Sequence, residues 1–491
     1  MVSSAGLAPG RDAVKILQST HSPPDFIPPP PLEPDQVICG PMYPDRRDGD
    51  RVLSIKTALG EYDIAEVVAK LPAGQRPDLV VVRADTSRAN LPRNIAALRC
   101  PAVVVVGDTH HQRSPITTLL THVLSEPYRA VILDYTRQHA HFFLEAGLEH
   151  VYWLPGFNVE RMAVRAQPMD IPMSFVGGVD RVHPRRLAVV EALQRAGLPL
   201  QVGRAPRAIA RSIHARSRIS LNCSLNGDLN LRVLEVLASG SFLLTDRLGI
   251  ESGFDALFAD GRDLVTYDSI DDCIEKSRRY LRDGLAAAAI ARAGHAAYET
   301  LLAPERIRAD FLALCDSGRT RPEFVLADRR SALPRQRDRA ALLRRIAAYE
   351  VLQAMQLAQE APAILATPGT DPCLLSDAAD LIRVRLAVDA IDEDGGKLDA
   401  FLASAGVAGC IRRLRGVGEI RDGRWDALLA SRADWSSRRY DAVLARNPAA
   451  LLIVSDLGED AVAARALEKA GFKRLTEVAP VFTRPATKAP A

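Results

Sequence analysis

The residues best suited to chemistry lie in one short segment, 219–246. An apolar stretch of strand length leads into a polar loop, and the helix that follows carries Arg232 and Glu235 in its first two turns. Free backbone N–H groups and the positive end of the helix dipole suit a bound diphosphate. The positive charge of Arg232 is repelled by that end of the dipole, so a bound anion beside it would make this position more favourable. Glu235 could accept two hydrogen bonds from a ribose diol.

The local pattern predicts how this helix begins and ends. Asn230 is a good N-cap residue for a helix that starts at Leu231, and Gly240 ends it before a strand over 242–245. Leu231, Leu234, Leu237 and Ala238 form one apolar stripe. The alternative is that Arg232 and Glu235 are solvent-facing helix residues, paired three positions apart.

A glycine pair predicts a second part of the same site. The strand predicted over 173–176 ends in Gly177 and Gly178, where a backbone without side chains lets a ligand approach closely. Arg185 and Arg186 follow in the next helix, although a tight turn with surface arginines would look the same. The loop 224–228, with Asn226 and Asp228, is expected to face the same cleft.

A separate candidate lies in the first half of the chain. Asp108, His110 and His111 directly follow an apolar strand over 102–106. Ligands in open α/β sheets bind at this end of the strands. A histidine or aspartate there could remove a proton from an acceptor hydroxyl. The alternative is an Asp-capped helix start with exposed histidines.

These residues must be positioned by parallel sheets. Short apolar runs alternate with helix-length segments, which is typical of βαβ units. We therefore predict an α/β protein with two Rossmann-like domains, 36–155 and 156–315, and a third Rossmann-like accessory domain over 346–491. The predicted strands cover 37–39, 79–82, 102–106, 130–133, 151–154, 173–176, 200–202, 219–222, 242–245, 264–267, 363–367, 383–389, 427–430, 450–455 and 478–484.

The remaining segments are predicted as connections. Residues 1–35 are read as a poorly ordered lead-in, because 22–34 is dense in proline. Residues 316–345 are rich in arginine and are read as a linker with the start of a helix. A further helix is predicted over 460–470. The end of the last block resembles the late strands of class I methyltransferases, but it lacks their glycine-rich loop.

The donor segment resembles a known family. Its order is similar to the N-x-R-x-x-E-x-x-A-x-G pattern of the CgeB-like group of family-1-like glycosyltransferases, which have the GT-B fold of two Rossmann-like domains. The apolar strand and the -LF-x-x-G-x-x-L-V-x-Y- segment that follow in that group are also present, over 242–244 and 257–267. The matching residues of the first pattern are Asn230, Arg232, Glu235, Ala238 and Gly240.

The resemblance covers about 36–315 and is specific in its second half. It implies a nucleotide-sugar donor, metal-independent transfer, and contact between Glu235 and the donor ribose. An Asp-His turn in the position of Asp108 is also common in the group. Many retaining GT-B enzymes carry a second glutamate eight residues earlier, where this chain has Gly227. The resemblance therefore implies neither retention nor inversion of configuration.

Composition bounds the alternatives. The chain has 491 residues, a formal net charge of +3 and 5% aromatic residues, which argues against nucleic acid as the main partner. Its seven cysteines show no CxxC spacing, so neither a zinc site nor a disulfide framework is indicated, and a cytoplasmic location is expected. No apolar window reaches 18 residues and no signal peptide is visible, so no membrane span is expected.

The sequence thus predicts a glycosyltransferase that moves a sugar from a nucleotide-sugar donor to an unidentified acceptor hydroxyl. No cofactor is expected beyond that substrate, and no metal ligand is predicted. A phosphorylase is disfavoured because no lysine lies in 174–268. The alternative function is a non-catalytic module that binds a nucleotide sugar or acts as a scaffold. The predicted catalytic residues are Asp108, His110 and His111; the predicted donor-binding residues are Gly177, Gly178, Arg186, Asn226, Asp228, Asn230, Arg232 and Glu235.

Overall fold

The chain divides into two compact units, residues 1–326 and 327–491. A computed structural model describes residues 14–483 except for short gaps. The gaps are 25–28, 113, 158, 160–167, 182, 226, 327–337, 360–361, 385, 392–406, 417–418, 421–424, 448–449, 455–464, 466, 470–471 and 475–480. Among the described residues, no helix has the length and apolar character that crossing a membrane would require.

The first unit begins with an eight-stranded sheet in the order β10-β9-β8-β6-β1-β2-β4-β3. All neighbours are parallel except β3 and β4. Strands such as β8 are buried along their whole length, which is why they read as unbroken apolar runs in the sequence. The strands are β1 Ile16–Ser19, β2 Val37–Gly40, β3 Arg46–Asp48, β4 Arg51–Lys56, β6 Leu79–Ala84, β8 Ala102–Val106, β9 Ala130–Leu133 and β10 Val151–Trp153.

Shorter elements complete this domain. A separate parallel pair is formed by β5 Gly60–Asp63 and β7 Asn90–Arg93. Three helices follow the strands in the described part of this domain: α1 Ile64–Ala69, α2 Pro115–Ser125 and α3 Ala140–Glu145. These short strands and β3–β4 are absent from the prediction. β3 is polar, β5 and β7 contain glycine or proline, and β4 mixes apolar with polar residues, so none of them gives an unbroken apolar run.

The prediction that 1–35 is a poorly ordered lead-in is wrong at its centre. Ile16–Ser19 forms β1, which pairs with β2 on one side and β6 on the other. All four residues of β1 are buried, but only Ile16 and Leu17 are apolar, whereas Gln18 and Ser19 are polar. Because only two apolar residues mark the strand and a proline-rich stretch follows, the pattern is too short to identify it. The first domain therefore begins before residue 36.

The second domain of this unit contains a five-stranded parallel sheet in the order β12-β11-β13-β14-β15. All five predicted strands are confirmed to within two residues at either end. They are β11 Ile171–Val176, β12 Leu200–Gly203, β13 Ser217–Leu221, β14 Leu243–Asp246 and β15 Val265–Tyr267. The helices are α4 Pro184–Arg195, α5 Arg207–Arg216, α6 Leu231–Ala238, α7 Phe254–Leu257, α8 Ile270–Arg282, α9 Gly284–Leu302 and α10 Pro304–Ser317.

The two domains of the first unit are joined by buried aromatic contacts. Trp153, at the end of β10, contacts Phe324 edge to face, with ring centroids 5.8 Å apart. The Trp153 ring also lies against Gly253, where an added Cβ would come within 2.4 Å of it. Arg137 stacks on the same ring and donates a hydrogen bond from Nη1 to the Glu251 carbonyl at 2.8 Å. The predicted linker 316–345 therefore begins too early, since Phe324 is part of this packing.

The second unit is a single α/β domain with the sheet order β18-β17-β16-β19-β20-β22-β21. Its last strand, β22, is antiparallel to both of its neighbours, whereas the other pairs are parallel. The resemblance of the block's ending to methyltransferases stays a prediction. The strands are β16 Ala363–Ala366, β17 Ala387–Ile391, β18 Ile411–Leu414, β19 Ala427–Ala430, β20 Leu451–Val454, β21 Lys473–Arg474 and β22 Val481–Thr483.

One strand in this unit was predicted with the wrong start. Residues Ala379–Val384 form helix α13, so the predicted strand 383–389 begins only at Ala387. Most of the predicted helix 460–470 lies outside the described residues. Within the described part of the unit, the helices are α11 Arg339–Ala358, α12 Pro372–Asp377, α13, α14 Arg432–Ser436 and α15 Asp441–Arg446.

Candidate donor-binding cleft

Helix α6 begins as the sequence predicts. Asn230 is its N-cap, in an extended conformation, and its side-chain oxygen accepts a hydrogen bond from the Arg232 backbone N–H at 3.1 Å. The helix packs one face into the core through fully buried residues such as Leu234 and Leu237. That burial fixes the helix so that its first turn faces the cleft between the two domains.

Arg232 is held firmly rather than exposed. Its Nε donates to the Val176 carbonyl at 2.6 Å and its Nη1 donates to Asn222 Oδ1 at 2.7 Å, while the guanidinium lies 4.4 Å from the centre of the Phe175 ring. Burial, with the charge of Arg186 next, lowers the pKa of Arg232 to about 9. The group is thus still cationic at neutral pH, and a bound anion would offset its loss of solvation. Arg232 lines the cleft, and its role in donor binding stays a prediction.

Glu235 lies in the cleft, but it has a partner that the sequence did not reveal. Its Oε1 accepts a hydrogen bond from Arg207 Nε at 3.1 Å. The two side chains are 17% and 8% exposed, so the pair is largely shielded from water. The alternative of a solvent-facing Arg232–Glu235 pair is wrong, because each of these side chains has a different partner.

The glycine pair after β11 allows a close approach to the cleft wall. A Cβ on Gly177 would lie 2.1 Å from Arg232 Nη2, so the absence of a side chain makes room for the guanidinium. A Cβ on Gly178 would lie 2.7 Å from Arg204 Nη2. Both glycines line the cleft, and the missing side chain at each leaves room for an arginine guanidinium.

Arg186 supports the loops around the site. Its guanidinium donates to the Cys223 carbonyl through Nε at 3.2 Å and through Nη2 at 3.1 Å, and to the Gly178 carbonyl at 3.1 Å. It also lines the cleft. Arg186 therefore joins the loop after β11 to the loop after β13, and a direct role in donor binding stays a prediction.

The loop after β13 contributes an acidic residue. Asp228 lines the cleft and is 2% exposed, whereas Asn226 lies outside the described residues. Ser224 anchors the loop, because its backbone N–H and its hydroxyl both donate to the buried Asp246 carboxylate, at 2.8 and 2.7 Å.

The opposite wall of the cleft carries the predicted catalytic residues. Asp108 follows β8, and its Oδ1 accepts a hydrogen bond from the His110 backbone N–H at 2.8 Å. His111 Nδ1 lies against Oδ2 of the same carboxylate, and His110 Nδ1 lies 3.1 Å from Oδ1. His110 and His111 both line the cleft, so the structure brings these residues to the predicted strand edge.

The electrostatics of this wall couple Asp108 to its histidines. Burial alone would raise the pKa of Asp108, but the charges of His110 and His111, with their hydrogen bonds, hold it well below its usual value. The bond to Asp108 raises the pKa of His111, against the opposing effect of burial. His111 also contacts His183 of the other domain edge to face, with ring centroids 6.2 Å apart.

The same three residues could also hold a metal ion. One carboxylate oxygen of Asp108 and one ring nitrogen from each of His110 and His111 lie within 4.8 Å of one another. Such an oxygen and nitrogen set is compatible with a divalent transition metal. The expectation that no metal binds therefore stays a prediction.

The cleft has a volume of about 630 Å³, which suits a small-molecule ligand. Its wall also contains residues that the sequence did not mark, because they lie in loops or first helical turns without a recognisable spacing. Among these, His214 is kept neutral by burial, which lowers its pKa to about 3. The unpredicted lining residues are Tyr135, Arg204, Ala205, Pro206, Arg207, Ala210 and His214. Leu225, Val176 and Leu231 also line the cleft, and they lie in the loop, strand and helix predicted there.

Residues 189–311 match the family model described as glycosyl transferase-like. The matched segment includes α5 and α6, and with them Arg207, Arg232 and Glu235. The resemblance to glycosyltransferases is thereby confirmed over this segment, and the narrower CgeB-like assignment stays a prediction. No curated protein matches the chain significantly.

Solved structures of glycosyltransferases are similar to parts of the chain. HepE from Anabaena, solved with UDP and glucose, is 13% identical over 61% of this chain and 98% of its own, with a TM-score of 0.42. Sucrose-phosphate synthase from Thermosynechococcus elongatus is 12% identical over 61% of this chain and 97% of its own, also with a TM-score of 0.42. TarM from S. aureus is 10% identical over 48% of this chain, with a TM-score of 0.36, and the match spans 55% of TarM. Similarity at this level supports no inference about function.

Proposed function

We propose that the first unit transfers a sugar from a nucleotide-sugar donor to an acceptor hydroxyl. The observation that carries this proposal is the glycosyl transferase-like match over residues 189–311, which contains the part of the donor wall formed by α5, α6 and the loop after β13. A pair of Rossmann-like sheets alone would not support it, because that fold serves many functions. The chemistry of the lining residues agrees with the match.

The donor is proposed to lie along the second domain. Its phosphates would face the N-terminus of α6, Gly177 and Arg232, where backbone N–H groups and a cation favour an anion. Glu235 would accept hydrogen bonds from the ribose while staying paired with Arg207. The base would then reach the part of the cleft formed by Pro206, Ala210 and His214.

The acceptor hydroxyl is proposed to be activated by His111. Asp108 accepts the Nδ1–H of His111, which leaves Nε2 able to take the hydroxyl proton. The acceptor oxygen forms a bond to the anomeric carbon as the bond from that carbon to the phosphate oxygen breaks. The electron pair stays on the departing nucleoside diphosphate, whose charge is stabilised by Arg232 and the start of α6. No cofactor other than the donor enters this scheme.

A non-catalytic nucleotide-sugar-binding module is the second candidate. The observation in its favour is Gly227, which has a positive φ of 72° and supplies no carboxylate where many related enzymes have a second glutamate. The Asp108–His111 pair favours an enzyme, because a binding module has no need of a base opposite the donor. A cytoplasmic location is part of the main proposal and is supported by the seven cysteines, all of them among the described residues and none in a disulfide.

Isothermal titration calorimetry with UDP, GDP, dTDP, CMP and their sugars tests the proposal. We expect one nucleoside diphosphate to bind and its sugar to bind at least as tightly. If no nucleotide binds to the folded full-length chain, the proposal fails. Binding without any nucleotide release from the donor over days, with a range of sugar acceptors, would favour the second candidate.

A further inference from the structure

The turn that carries the proposed base is closed mainly by its own atoms. Residues 108–111 follow β8, and the Asp108 carboxylate accepts hydrogen bonds from the backbone N–H groups of His110 and His111 at 2.8 and 3.3 Å. The same carboxylate contacts Nδ1 of both histidine rings. These local bonds set the shape of the turn, but they move with it. Contacts from other segments must therefore set where the turn lies in the cleft.

One buried hydrogen bond fastens the turn to the rest of the first domain. Thr109 Oγ1 lies 2.6 Å from His139 Nδ1, although the two residues are 30 positions apart in the chain. Thr109 is completely buried and His139 is 1% exposed, so water does not compete for this bond. Among the residues that the structure describes, none outside the turn except His139 is hydrogen-bonded to 108–111.

The segment that contains His139 is itself held in place. It follows β9, and within it Thr136 Oγ1 donates to the Gly107 carbonyl at 3.3 Å, directly before the turn. Arg137 donates from Nη1 to the Glu251 carbonyl of the second domain at 2.8 Å. Because the segment is bonded to its neighbours on both sides, His139 can act as a fixed support for the turn.

The position of the turn matters because a base acts at short range. If the proposed function is correct, His111 Nε2 must lie within hydrogen-bond distance of the acceptor hydroxyl while Asp108 stays on Nδ1. Misplacement of a reacting group by about 1 Å can lower a rate about 100-fold. Thr109 directly follows Asp108 and precedes both histidines, so its side chain fastens the turn at its centre.

We propose that the hydrogen bond between Thr109 and His139 positions His111 for proton removal, which makes both of them positioning residues. The inference rests on the proposed function. Both residues are buried and neither lines the cleft, so they act through the turn and not on the donor. Loss of the bond is therefore expected to lower the turnover rate while donor binding stays unchanged.

The test compares two substitutions of one side chain. Thr109→Val keeps the β-branched shape and removes the hydroxyl, whereas Thr109→Ser keeps the hydroxyl. Turnover of the full-length chain is followed as nucleotide release, with water as the acceptor, from whichever of UDP-glucose, GDP-mannose and dTDP-glucose binds. We expect kcat to fall about tenfold or more in Thr109→Val and to stay within about threefold in Thr109→Ser, with KM for the donor nearly unchanged in both.

Thr266→Val is the matched control. Thr266 in β15 is also completely buried, and its Oγ1 donates to Asp260 Oδ2 at 2.7 Å. Loss of this bond should lower the melting temperature without changing kcat. A purely structural role for Thr109 would give the same result as the control and would overturn the inference.

A second background locates the effect. In His111→Gln the base is absent, so adding Thr109→Val should lower kcat by about twofold at most. An equal loss in both backgrounds shows that Thr109 acts on something other than His111 and overturns the inference. If Thr109→Val does not fold, His139→Leu and His139→Asn test the same bond from its other side. The asparagine amide can replace Nδ1, so kcat should fall in the leucine variant only.

The outcomes separate the inference from the proposed function. A parent-like kcat in folded Thr109→Val, or an equal loss in Thr109→Val and Thr109→Ser, overturns the positioning role and leaves the proposed function intact. A parent chain that binds none of the three donors, or releases no nucleotide from the one it binds, overturns both.

Discussion

Glu235 and Arg207 form an ion pair across the entrance to the donor wall, with Arg207 Nε donating to Glu235 Oε1 at 3.1 Å. Arg207 is the first residue of α5 and Glu235 lies one turn into α6, so two neighbouring helices fix a single carboxylate. This pairing holds the Glu235 carboxylate in the cleft, with Oε1 hydrogen-bonded to the Arg207 guanidinium. It makes Arg207 a positioning residue for the proposed ribose contact.

The first prediction concerns this pair. Glu235→Gln keeps an oxygen that can accept from Arg207, so the melting temperature should stay nearly unchanged. Loss of the carboxylate charge should weaken nucleotide binding by about tenfold or more, about 1.4 kcal/mol. Calorimetry on Glu235→Gln, Arg207→Met and the double variant should give a coupling energy of about 0.5–3 kcal/mol. Glu191→Gln, an exposed residue of α4, is the control.

Two outcomes would contradict this reading. If the Glu235 variants bind nucleotide like the parent protein, the motif match around α6 is accidental. If Glu235→Gln unfolds the domain, the pair with Arg207 is structural and the ribose role must be withdrawn.

The second prediction links Gly177 to Arg232. A Cβ at Gly177 would come within 2.1 Å of Arg232 Nη2, at the far end of a flexible side chain. Gly177 also has a φ of 157°, a conformation that strains a residue with a side chain, so Gly177→Ala should both displace the guanidinium and lower the melting temperature. Both Gly177→Ala and Arg232→Ala should weaken nucleoside diphosphate binding, the latter by about 1.5–3 kcal/mol, the scale of a charged hydrogen bond.

Calorimetry on the double variant separates the two effects. In the Arg232→Ala background, Gly177→Ala should cost little further affinity, because the side chain it would displace is gone. Arg292→Ala, an exposed arginine on α9, serves as the charge control. Full additivity of the two losses would show that Gly177 acts on the ligand directly.

Much of the donor wall was predictable because its signals are local. The buried strands are continuous apolar runs, and the N-cap at Asn230 with the residues of α6 lies within one short segment. Arg207 and Tyr135 were missed for a different reason. Tyr135 lies in the loop after β9 and Arg207 follows the loop after β12, and only the packing of the sheets brings them to the cleft. The sequence did contain one signal. Pro206, shortly after the end of β12, could have predicted a helix that starts at the edge of the sheet where ligands bind.

The third prediction is a pH dependence that follows from the Asp108–His111 pair. A base must be neutral to accept a proton, so activity should be lost as the pH falls through the pKa of His111. Because Asp108 raises that pKa, the acidic limb should lie above the usual histidine value near 6.5. Asp108→Asn removes the raising effect, so the limb should move to lower pH while the rate falls.

The measurement is nucleotide release from the donor as a function of pH, with nucleotide affinity followed in parallel. Affinity should change little in Asp108→Asn, since the donor phosphates lie on the other wall. An unshifted acidic limb in this variant would exclude His111 as the titrating base.

The fourth prediction is that donor binding does not need a divalent metal. The phosphate site offers a helix N-terminus and Arg232 in place of a carboxylate pair, so nucleotide affinity should be the same with and without EDTA. If EDTA abolishes binding and Mn²⁺ or Mg²⁺ restores it, the ion must be held elsewhere, and Asp108, His110 and His111 are the first candidates. His110→Ala would then remove the metal effect and identify the site.

The last prediction is that the first unit folds and binds nucleotide without the second. The boundary falls after Leu326, not near Ser317, because Phe324 is buried against Trp153 and Arg321 donates to the Leu301 carbonyl. A chain ending at Leu326 should bind nucleotide with the affinity of the full-length protein.

A chain ending at Ser317 should melt at a lower temperature, because the Trp153 ring loses its aromatic partner. That contact contributes about 0.5–1.5 kcal/mol beyond the buried area. Thermal melting of both chains, with Phe324→Ala in the longer one as the matched variant, measures the effect. If the chain ending at Leu326 folds but no longer binds nucleotide, the second unit is needed for donor binding and the prediction is wrong.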